Sequence, residues 1–383
     1  MVTQRIKHFN PKDHIVNGDA FNIKMFLDVV NLLGDVDYVC MDAGPNLDIS
    51  IIKDYKYTSK YVVLGIVDSW HGWDHDTFEN GSDVFDYLEQ EHPDKHFFFF
   101  SDYVEPYLVV NKKNITNLTW SGLTYRHEEY KQIKPVTEKN FLGKHVVCLN
   151  RLMRMHRIVL LSYLYAKKYN KHIHLTALKL PNKSNKSFMD QVDWNFTPDL
   201  FDIRDECIQG YDLLCKDIDN LTGIEPYKVL NNSEYVVEYC NTENFEKNLR
   251  KIYLNSVVEI ITESTYILPT GFPTEKYLHT IYGFNFPIIV SNKGMVKYLR
   301  DFGFDMFDDI IDHSYDCIED NLLRLQQAIE LNKEIITNKE FAIEQWHKNK
   351  DRFEKNLEFA QNEMCEKFYN DAITIVKNEI TPR

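Results

Sequence analysis

The chain has little of what marks a secreted, zinc-binding or membrane-spanning protein. Its seven cysteines are scattered and form no Cys-x-x-Cys pair, which argues against a disulfide framework and a zinc cage. No apolar run approaches the roughly 20 residues of a membrane span, and the first residues contain no apolar core of signal-peptide length. We therefore expect a cytoplasmic protein with reduced thiols.

Three motifs of common enzyme classes are also missing. The sequence contains no Gly-x-Gly-x-x-Gly turn, no Gly-x-Ser-x-Gly elbow and no Walker loop, so a dehydrogenase or a hydrolase of these types is the least expected class. The net charge of −14 gives no general attraction to nucleic acid or to an acidic membrane. A local basic patch remains compatible with that charge.

The chain does have the length and the periodicity of an α/β protein. Its 383 residues exceed what one core usually supports, which predicts two domains. Short apolar runs alternate with helical segments, and this order predicts parallel sheets. We expect an N-terminal domain at 1–143, a second domain at 144–338, and a C-terminal segment at 339–383 whose helix packs across both. The predicted strands are 37–41, 61–67, 96–100, 146–149, 172–178, 257–261 and 286–290.

Three acidic residues follow the three N-terminal strands: Asp42, Asp68 and Asp102. Residues just past the carboxyl ends of parallel strands line the ligand crevice, so we expect these acids at the edge of an active site. Asp42 and Asp68 are candidate general bases that would deprotonate an acceptor hydroxyl. Each acid alone is also a common turn or helix-cap residue.

The loop after the second strand, DSWHGWDHD at 68–76, is rich in aromatic and titratable residues. Trp70 and Trp73 offer stacking platforms for a sugar ring or a base, and His71 joins Asp68 as a candidate base. The structural alternative is an aromatic loop packed on the sheet with exposed acids. The sequence leaves both readings open.

A basic segment, NRLMRMHR at 150–157, lies between a strand end and a helix start. Arg151, Arg154 and Arg157 would bind phosphate oxygens through forked contacts, and the helix N-terminus would add its dipole. The alternative is a basic turn whose arginines extend into solvent.

A second phosphate-binding candidate is Thr274-Glu275-Lys276, which opens a helix. Thr274 can cap the first turn, Glu275 can accept hydrogen bonds from a ribose diol, and Lys276 can contact a phosphate. The alternative is an ordinary capped surface helix. Asn292 lies in a loop of small and polar residues that opens the next helix, and the paired loops suit a diphosphate. Glu263, after the preceding strand, would contact sugar hydroxyls or Glu275, or cap a turn.

These motifs resemble a family of GT-B glycosyltransferases common in phages and bacteria. The resemblance rests on the Glu-Lys helix, on the strand FPIIV, on the segments at 296–304 and 312–316, and on an Asn-Arg-x-x-Arg-x-His-Arg pattern at 150–157. The N-terminal third matches by architecture only. Where the family often has Thr-Glu-Lys-Thr, this chain has Tyr277 in place of the last Thr.

The resemblance implies a GT-B-like fold, in which two Rossmann-like domains face each other across a cleft. The C-terminal domain would hold the sugar nucleotide, with Glu275 on the ribose and Lys276 near the diphosphate, and the N-terminal domain would bind the acceptor. The nucleotide sugar is a co-substrate, so no cofactor is expected. Arg154, Arg157 and Lys276 can stabilise the leaving diphosphate, and we therefore expect no metal.

Two acceptor classes remain open. A saccharide or lipid-linked glycan fits the acidic chain and the tryptophan loop. A hydroxymethylated DNA base fits a phage setting, where DNA modification would take place in the cytoplasm of the host, with Trp70 or Trp73 stacking on a flipped base. An alternative of another class is a nucleotide-binding module or sensor without transfer activity.

Overall fold

Strands form where short apolar runs end in polar residues, and the computed structural model contains eight of them in its described part. The structure describes residues 20–42, 55–67, 87–101, 112–119, 123, 130–150, 154–177, 201–222, 245–263, 266 and 273–381. The chain divides into two units. Unit 1 comprises Met1–Glu128, Pro269–Thr274 and Gln361–Arg383, and unit 2 comprises Glu129–Leu268 and Glu275–Ala360.

The described helices are numbered in chain order. They are α1 (Ala20–Leu33), α2 (Met155–Ala166), α3 (Phe201–Thr222), α4 (Arg250–Tyr253), α5 (Glu275–Gly283), α6 (Met295–Phe302), α7 (Asn321–Glu330), α8 (Lys333–Thr337), α9 (Lys339–Lys348), α10 (Lys350–Glu358) and α11 (Met364–Ile380). Short 3-10 turns cover Tyr169–Lys171 and Ser314–Cys317, and π-helical turns cover Phe245–Leu249 and Phe359–Glu363.

The sheet of unit 1 is parallel, and its strands lie side by side in chain order. These strands are β1 (Val36–Asp42), β2 (Tyr61–Val67), β3 (His96–Ser101) and β4 (Ile115–Thr119), in the order β1-β2-β3-β4. The register places Val63 opposite Phe98 and Phe100 opposite Leu118. Because side chains alternate along a strand, these four apolar residues share one face.

Helices α1 and α11 cover that face. Each has an apolar stripe at helical spacing, and the two stripes meet the sheet in one core. This core contains Met25, Phe26, Val29 and Val30 of α1, Ala372 and Val376 of α11, and Val36, Val63, Phe98, Phe100 and Leu118 of the strands. On the other face, Phe97 packs edge-on against Tyr57, with ring centroids 5.4 Å apart.

The sheet of unit 2 is also parallel, but its order differs. It contains β5 (Val146–Leu149), β6 (Ile173–Thr176), β7 (Val258–Thr262) and β8 (Phe286–Val290), in the order β6-β5-β7-β8. Every residue of β5, β7 and β8 is buried, as expected for strands covered on both faces.

The strand order of unit 2 reverses between β5 and β7. The chain runs from β5 outward to β6 and then returns to the other side of β5. At this reversal β5 and β7 pair only at Val146 with Val258 and at Val147 with Glu259, whereas β7 and β8 pair over all five residues. The β5–β7 ladder therefore stops short of the carboxyl ends, where the rule for α/β sheets places ligands.

A close contact with α3 positions α2, the helix that follows β5. Gly210 of α3 lies against α2, and a Cβ atom built at this glycine would lie 1.8 Å from the carbonyl oxygen of Ser162. Only glycine fits such an approach of two helices. The packing of α3 therefore fixes the position of α2, the helix that follows β5.

A buried polar network lies near the start of β7. The Glu259 carboxylate accepts hydrogen bonds from the hydroxyls of Tyr253, at 2.9 Å, and Thr280, at 2.7 Å. The Lys139 ammonium donates to the Tyr253 carbonyl at 2.8 Å and to Asn285 Oδ1 at 2.9 Å. Burial raises the pKa of Glu259 to about 7 and lowers that of Lys139 well below its usual range.

The coarse fold prediction is confirmed, because the structure is α/β with two parallel sheets and a long C-terminal helix, compatible with two Rossmann-like domains. The C-terminal segment at 339–383, predicted to contain one helix, forms three. These are α9, α10 and α11, with a break at Asn349 and a π-helical turn before α11. None of the described helices is long and apolar enough to cross a membrane. The cleft and the GT-B class stay predictions.

Candidate functional site

The carboxyl edge of the unit 2 sheet is lined by buried polar residues. β5 leads into Asn150, β7 into Glu263, and β8 into Ser291 and Asn292, and each of these four is at most 2% exposed. Burying polar groups is unfavourable unless they have partners or a function.

Side-chain hydrogen bonds join β5 and β7 where their ladder has ended. Asn150 Oδ1 accepts a hydrogen bond from Thr262 Oγ1 at 2.7 Å. On its other side, the Asn150 backbone N–H donates to Thr176 Oγ1 at 2.9 Å, at the end of β6. The ends of three strands are thus held together by one asparagine and two threonines.

The first turn of α2 holds the end of β7. Arg157 Nη2 donates to the carbonyl oxygens of Thr262, at 3.1 Å, and Glu263, at 3.2 Å. His156 Nε2 lies 3.0 Å from the same Glu263 carbonyl, which can only accept, so this nitrogen carries the proton. Burial and the charges of Arg157 and Arg154 lower the pKa of His156 well below its usual range, and the ring is therefore neutral.

Lys276 and Glu263 form an ion pair beside this contact. Lys276 lies in the first turn of α5, and its Nζ is 3.9 Å from Glu263 Oε2; the two side chains are 14% and 2% exposed. Attraction between charges is stronger in such a poorly solvated place than at an exposed surface. Arg157, Glu263 and Lys276, three of the predicted donor-binding residues, are thus brought together.

Arg154 is the N-cap residue of α2, with an extended backbone conformation and a half-buried side chain. Its side chain makes no capping hydrogen bond, and the first turn of α2 contains no acidic residue. The positive end of this 12-residue helix and the guanidinium of Arg154 therefore reinforce each other. An anion is the chemical group that such an arrangement favours.

The loop after β8 departs from the prediction in one respect. The backbone N–H groups of Val296 and Lys297, at the start of α6, donate to the Asp316 carboxylate at 3.1 and 2.9 Å. Asp316 thus already provides the anion that this helix N-terminus attracts. Asn292 is buried at the carboxyl edge, but these two donors of the adjoining helix are bonded within the protein.

The remaining predicted residues lie largely outside the described part. Asp42 closes β1 and Glu275 opens α5, and for both only the backbone is described. The other predicted residues outside the described ranges are Asp68, Trp70, His71, Trp73, Asp102 and Arg151.

Metal binding has no support in the described part of the chain. There, no group of three or more His, Cys, Asp or Glu side chains is placed to hold a metal ion. The triplet Asp74-His75-Asp76, of a type that can hold a divalent cation, lies outside the described ranges. The prediction of a metal-independent site therefore rests on the cations alone.

Sequence reasoning did not find three residues that shape this edge: Thr262, Tyr266 and Arg324. Thr262 and Tyr266 carry no recognisable pattern. Arg324 offered a signal, because it lies four residues before Ala328, on the buried face of α7. A charged residue on an apolar helix face needs buried partners.

Comparisons with known proteins add no family. No protein-family profile, no curated protein and no solved structure matches this chain. The class therefore rests on the structure itself. It is an α/β protein with two parallel sheets, and its second unit carries a polar edge with several cations where the strand order reverses.

Proposed function

We propose that unit 2 binds a nucleotide sugar at this edge and that the chain transfers the sugar to an acceptor hydroxyl, as a GT-B glycosyltransferase. The observation that supports this most directly is the meeting of Arg157, Glu263 and Lys276 beyond the end of the β5–β7 ladder. The carboxyl ends of strands at a reversal of strand order are where α/β proteins bind nucleotides.

The chemistry of the leaving group matches the charges at this edge. When the glycosidic bond to the donor breaks, negative charge develops on the nucleoside diphosphate and must be stabilised. Arg154 at the N-terminus of α2 and Lys276 in the first turn of α5 are both only partly buried, so they can meet a phosphate. Fixed cations of this kind need no metal ion to stabilise the diphosphate, and we propose that the transfer is metal-independent.

Carboxylates suit the hydroxyl groups of the donor. The Glu263 side chain is 2% exposed beside Lys276, so a sugar or ribose hydroxyl would have to displace part of that contact to donate to its oxygens. Glu275 opens α5, and the resemblance assigns it to the ribose diol. These two residues and Lys276 would hold the nucleotide and its sugar in one orientation.

The acceptor half of the reaction is a proposal from the sequence. Asp68, His71 or Asp42 would remove the proton of the acceptor hydroxyl, and Trp70 and Trp73 would stack on the acceptor, with Asp102 beside them. The acceptor is a glycan or a hydroxymethylated DNA base. The second belongs to a phage setting.

A ligand panel tests the proposal. Titration calorimetry with UDP-, GDP-, CMP- and dTDP-linked sugars should show binding of at least one donor, unchanged by a chelator. Release of the nucleotide should follow when an acceptor is added, and a mass gain on a glycan or on 5-hydroxymethylcytosine DNA would identify the acceptor. If no donor binds, the proposal fails. Binding without release of nucleotide would favour the alternative, a nucleotide-binding module or sensor.

A further inference from the structure

The guanidinium of Arg324 joins two backbone segments that follow neighbouring strands. Arg324 lies in α7 and is 3% exposed. Its Nε donates to the carbonyl oxygen of Ser291, directly after β8, at 3.0 Å. Its Nη2 donates to the carbonyl oxygen of Tyr266, three residues past Glu263, at 3.3 Å. One side chain thus bonds to the chain beyond β7 and the chain beyond β8.

A further carbonyl oxygen and an aromatic ring also contact this guanidinium. Its Nη1 donates to the Ile318 carbonyl at 2.7 Å, and its central carbon lies 5.1 Å from the centre of the Tyr266 ring. All the hydrogen bonds of Arg324 go to carbonyl or amide oxygens. The forked geometry of arginine makes such a set of bonds possible, whereas a lysine ammonium cannot reach the same directions.

The Tyr266 ring connects this group to the candidate site. It stacks on His156, with ring centroids 5.1 Å apart and planes 15° apart. His156 in turn contacts the Glu263 carbonyl, next to the ion pair with Lys276. If Arg324 moved, the Tyr266 ring would move with it and would shift His156, which contacts Glu263.

We propose that Arg324 is a positioning residue, which fixes the segments after β7 and β8 relative to each other and so sets the geometry of the nucleotide-binding edge. The proposal rests on the proposed function. Arg324 does not contact the nucleotide itself. Binding groups must be held within about 0.5 Å to act together, and hydrogen bonds from one planar group to four backbone carbonyls provide that restraint.

The test compares two lysine substitutions in unit 2. Arg324→Lys keeps the charge but removes the fork. The matched control is Arg352→Lys, since Arg352 also forks onto its partners, Asp305 and Asp309. These partners flank Phe307, which packs on Phe286 at the amino end of β8, whereas Arg324 bonds to the chain beyond the carboxyl end. Both variants are characterised by the urea midpoint of unfolding and by the Kd for the donor found in the ligand panel.

We expect Arg324→Lys to raise the Kd about tenfold or more, and Arg352→Lys to lower the urea midpoint with less than a twofold change in Kd. Arg324→Met is expected to weaken binding further than Arg324→Lys. The proposal would be overturned if the two lysine variants lost the same amount of urea midpoint and also showed the same change in Kd. Arg324 would then act through stability alone.

Amide hydrogen exchange tests the role of Arg324 without requiring that the protein bind a nucleotide. Amide hydrogen exchange in the nucleotide-free protein should become faster in peptides covering Tyr266 and 291–297 in Arg324→Lys, but not in Arg352→Lys. If the wild type binds no donor, the proposed function fails, and this exchange still tests whether Arg324 fixes the two segments. Unchanged exchange would exclude that role.

Discussion

In the part of the chain that the structure describes, the two sheets are both parallel and both four-stranded, yet their strand orders differ. In unit 1 the described strands follow one another in chain order, so no reversal occurs among them. In unit 2 the order reverses between β5 and β7, and their ladder stops at Glu259. In open α/β sheets, ligands bind at the carboxyl ends of strands at the point where the strand order reverses.

Each sheet has a buried acid near the start of a strand, Asp37 in unit 1 and Glu259 in unit 2. In unit 1 the buried acid Asp37 lies near the start of β1 and accepts hydrogen bonds from the backbone N–H groups of Thr58 and Ser59, at 2.5 and 2.7 Å. It holds the chain that leads into β2. In unit 2, Asn150 and Glu263 lie at the carboxyl ends of strands. Glu263 therefore has described contacts that support a role in binding, whereas for Asp42 only the backbone is described.

The largest expected effect concerns the helix that carries Arg157. Gly210→Ala should lower the free energy of unfolding by about 3 kcal/mol or more, because the new methyl group would overlap the Ser162 carbonyl. The matched control in unit 1 is Gly34→Ala. Gly34 has a φ of +79° and open space around it, so the change costs about 1 kcal/mol of backbone strain. Urea unfolding would contradict this account if both changes cost the same.

The next effect concerns the end of β7. Arg157→Met removes two charge-assisted hydrogen bonds to the carbonyls of Thr262 and Glu263 and should destabilise the protein by about 2 kcal/mol. The control is Arg300→Met, since Arg300 is 41% exposed and pairs with Asp308 at the surface. That pair should contribute at most about 1 kcal/mol. If chemical denaturation shows that Arg300→Met costs more stability than Arg157→Met, Arg157 does not stabilise the end of β7 as proposed.

The pH dependence of stability tests the buried acid at the start of β7. The folded protein raises the pKa of Glu259 from 4.5 to about 7, so this group contributes stability below pH 4.5 that is lost as the pH rises through 7. Because the folded state binds more protons in that window, Glu259→Gln should remove a decline of about 2 kcal/mol between pH 5 and 8. Unfolding curves at several pH values measure it, and an unchanged slope in the variant would exclude the effect.

A smaller energetic change is expected at the predicted phosphate contact. Lys276→Met should weaken donor binding about tenfold, or about 1.4 kcal/mol, and should also lower stability, because the buried Glu263 carboxylate loses its cationic partner. Lys297→Met is the control, because Lys297 is 71% exposed and pairs with Asp301 one helical turn away. Titration calorimetry measures the donor affinity of both variants. Equal affinities would remove Lys276 from the site.

Much of the fold follows from short-range patterns. The strands at 61–67, 146–149 and 286–290 were predicted at their observed bounds, since apolar runs with sharp polar ends mark buried parallel strands. The strand β4 was not predicted. Its sequence ITNLT is short and half polar, and its buried residues do not alternate with exposed ones, so the sequence shows no strand periodicity.

The site was predictable in composition but not in geometry. The basic segment at 150–157 and the pair Glu263 and Lys276 were recognised as candidates, and the structure brings part of that set together. Two contacts depend on residues far apart in the chain: the hydrogen bond that Thr262 donates to Asn150, and the bonding of the α6 N-terminus to Asp316. Such contacts follow from tertiary packing, which no local pattern encodes.

Mapping where a nucleotide binds tests the central claim most directly. A photoreactive nucleoside diphosphate is crosslinked to the wild-type protein, with and without excess unlabelled donor, and the labelled peptides are identified by mass spectrometry. The account predicts donor-sensitive labelling within 150–158, 262–276 and 291–294, beside the reversal of strand order in unit 2. Labelling confined to the peptides that follow β1, β2 and β3 of unit 1 would contradict it.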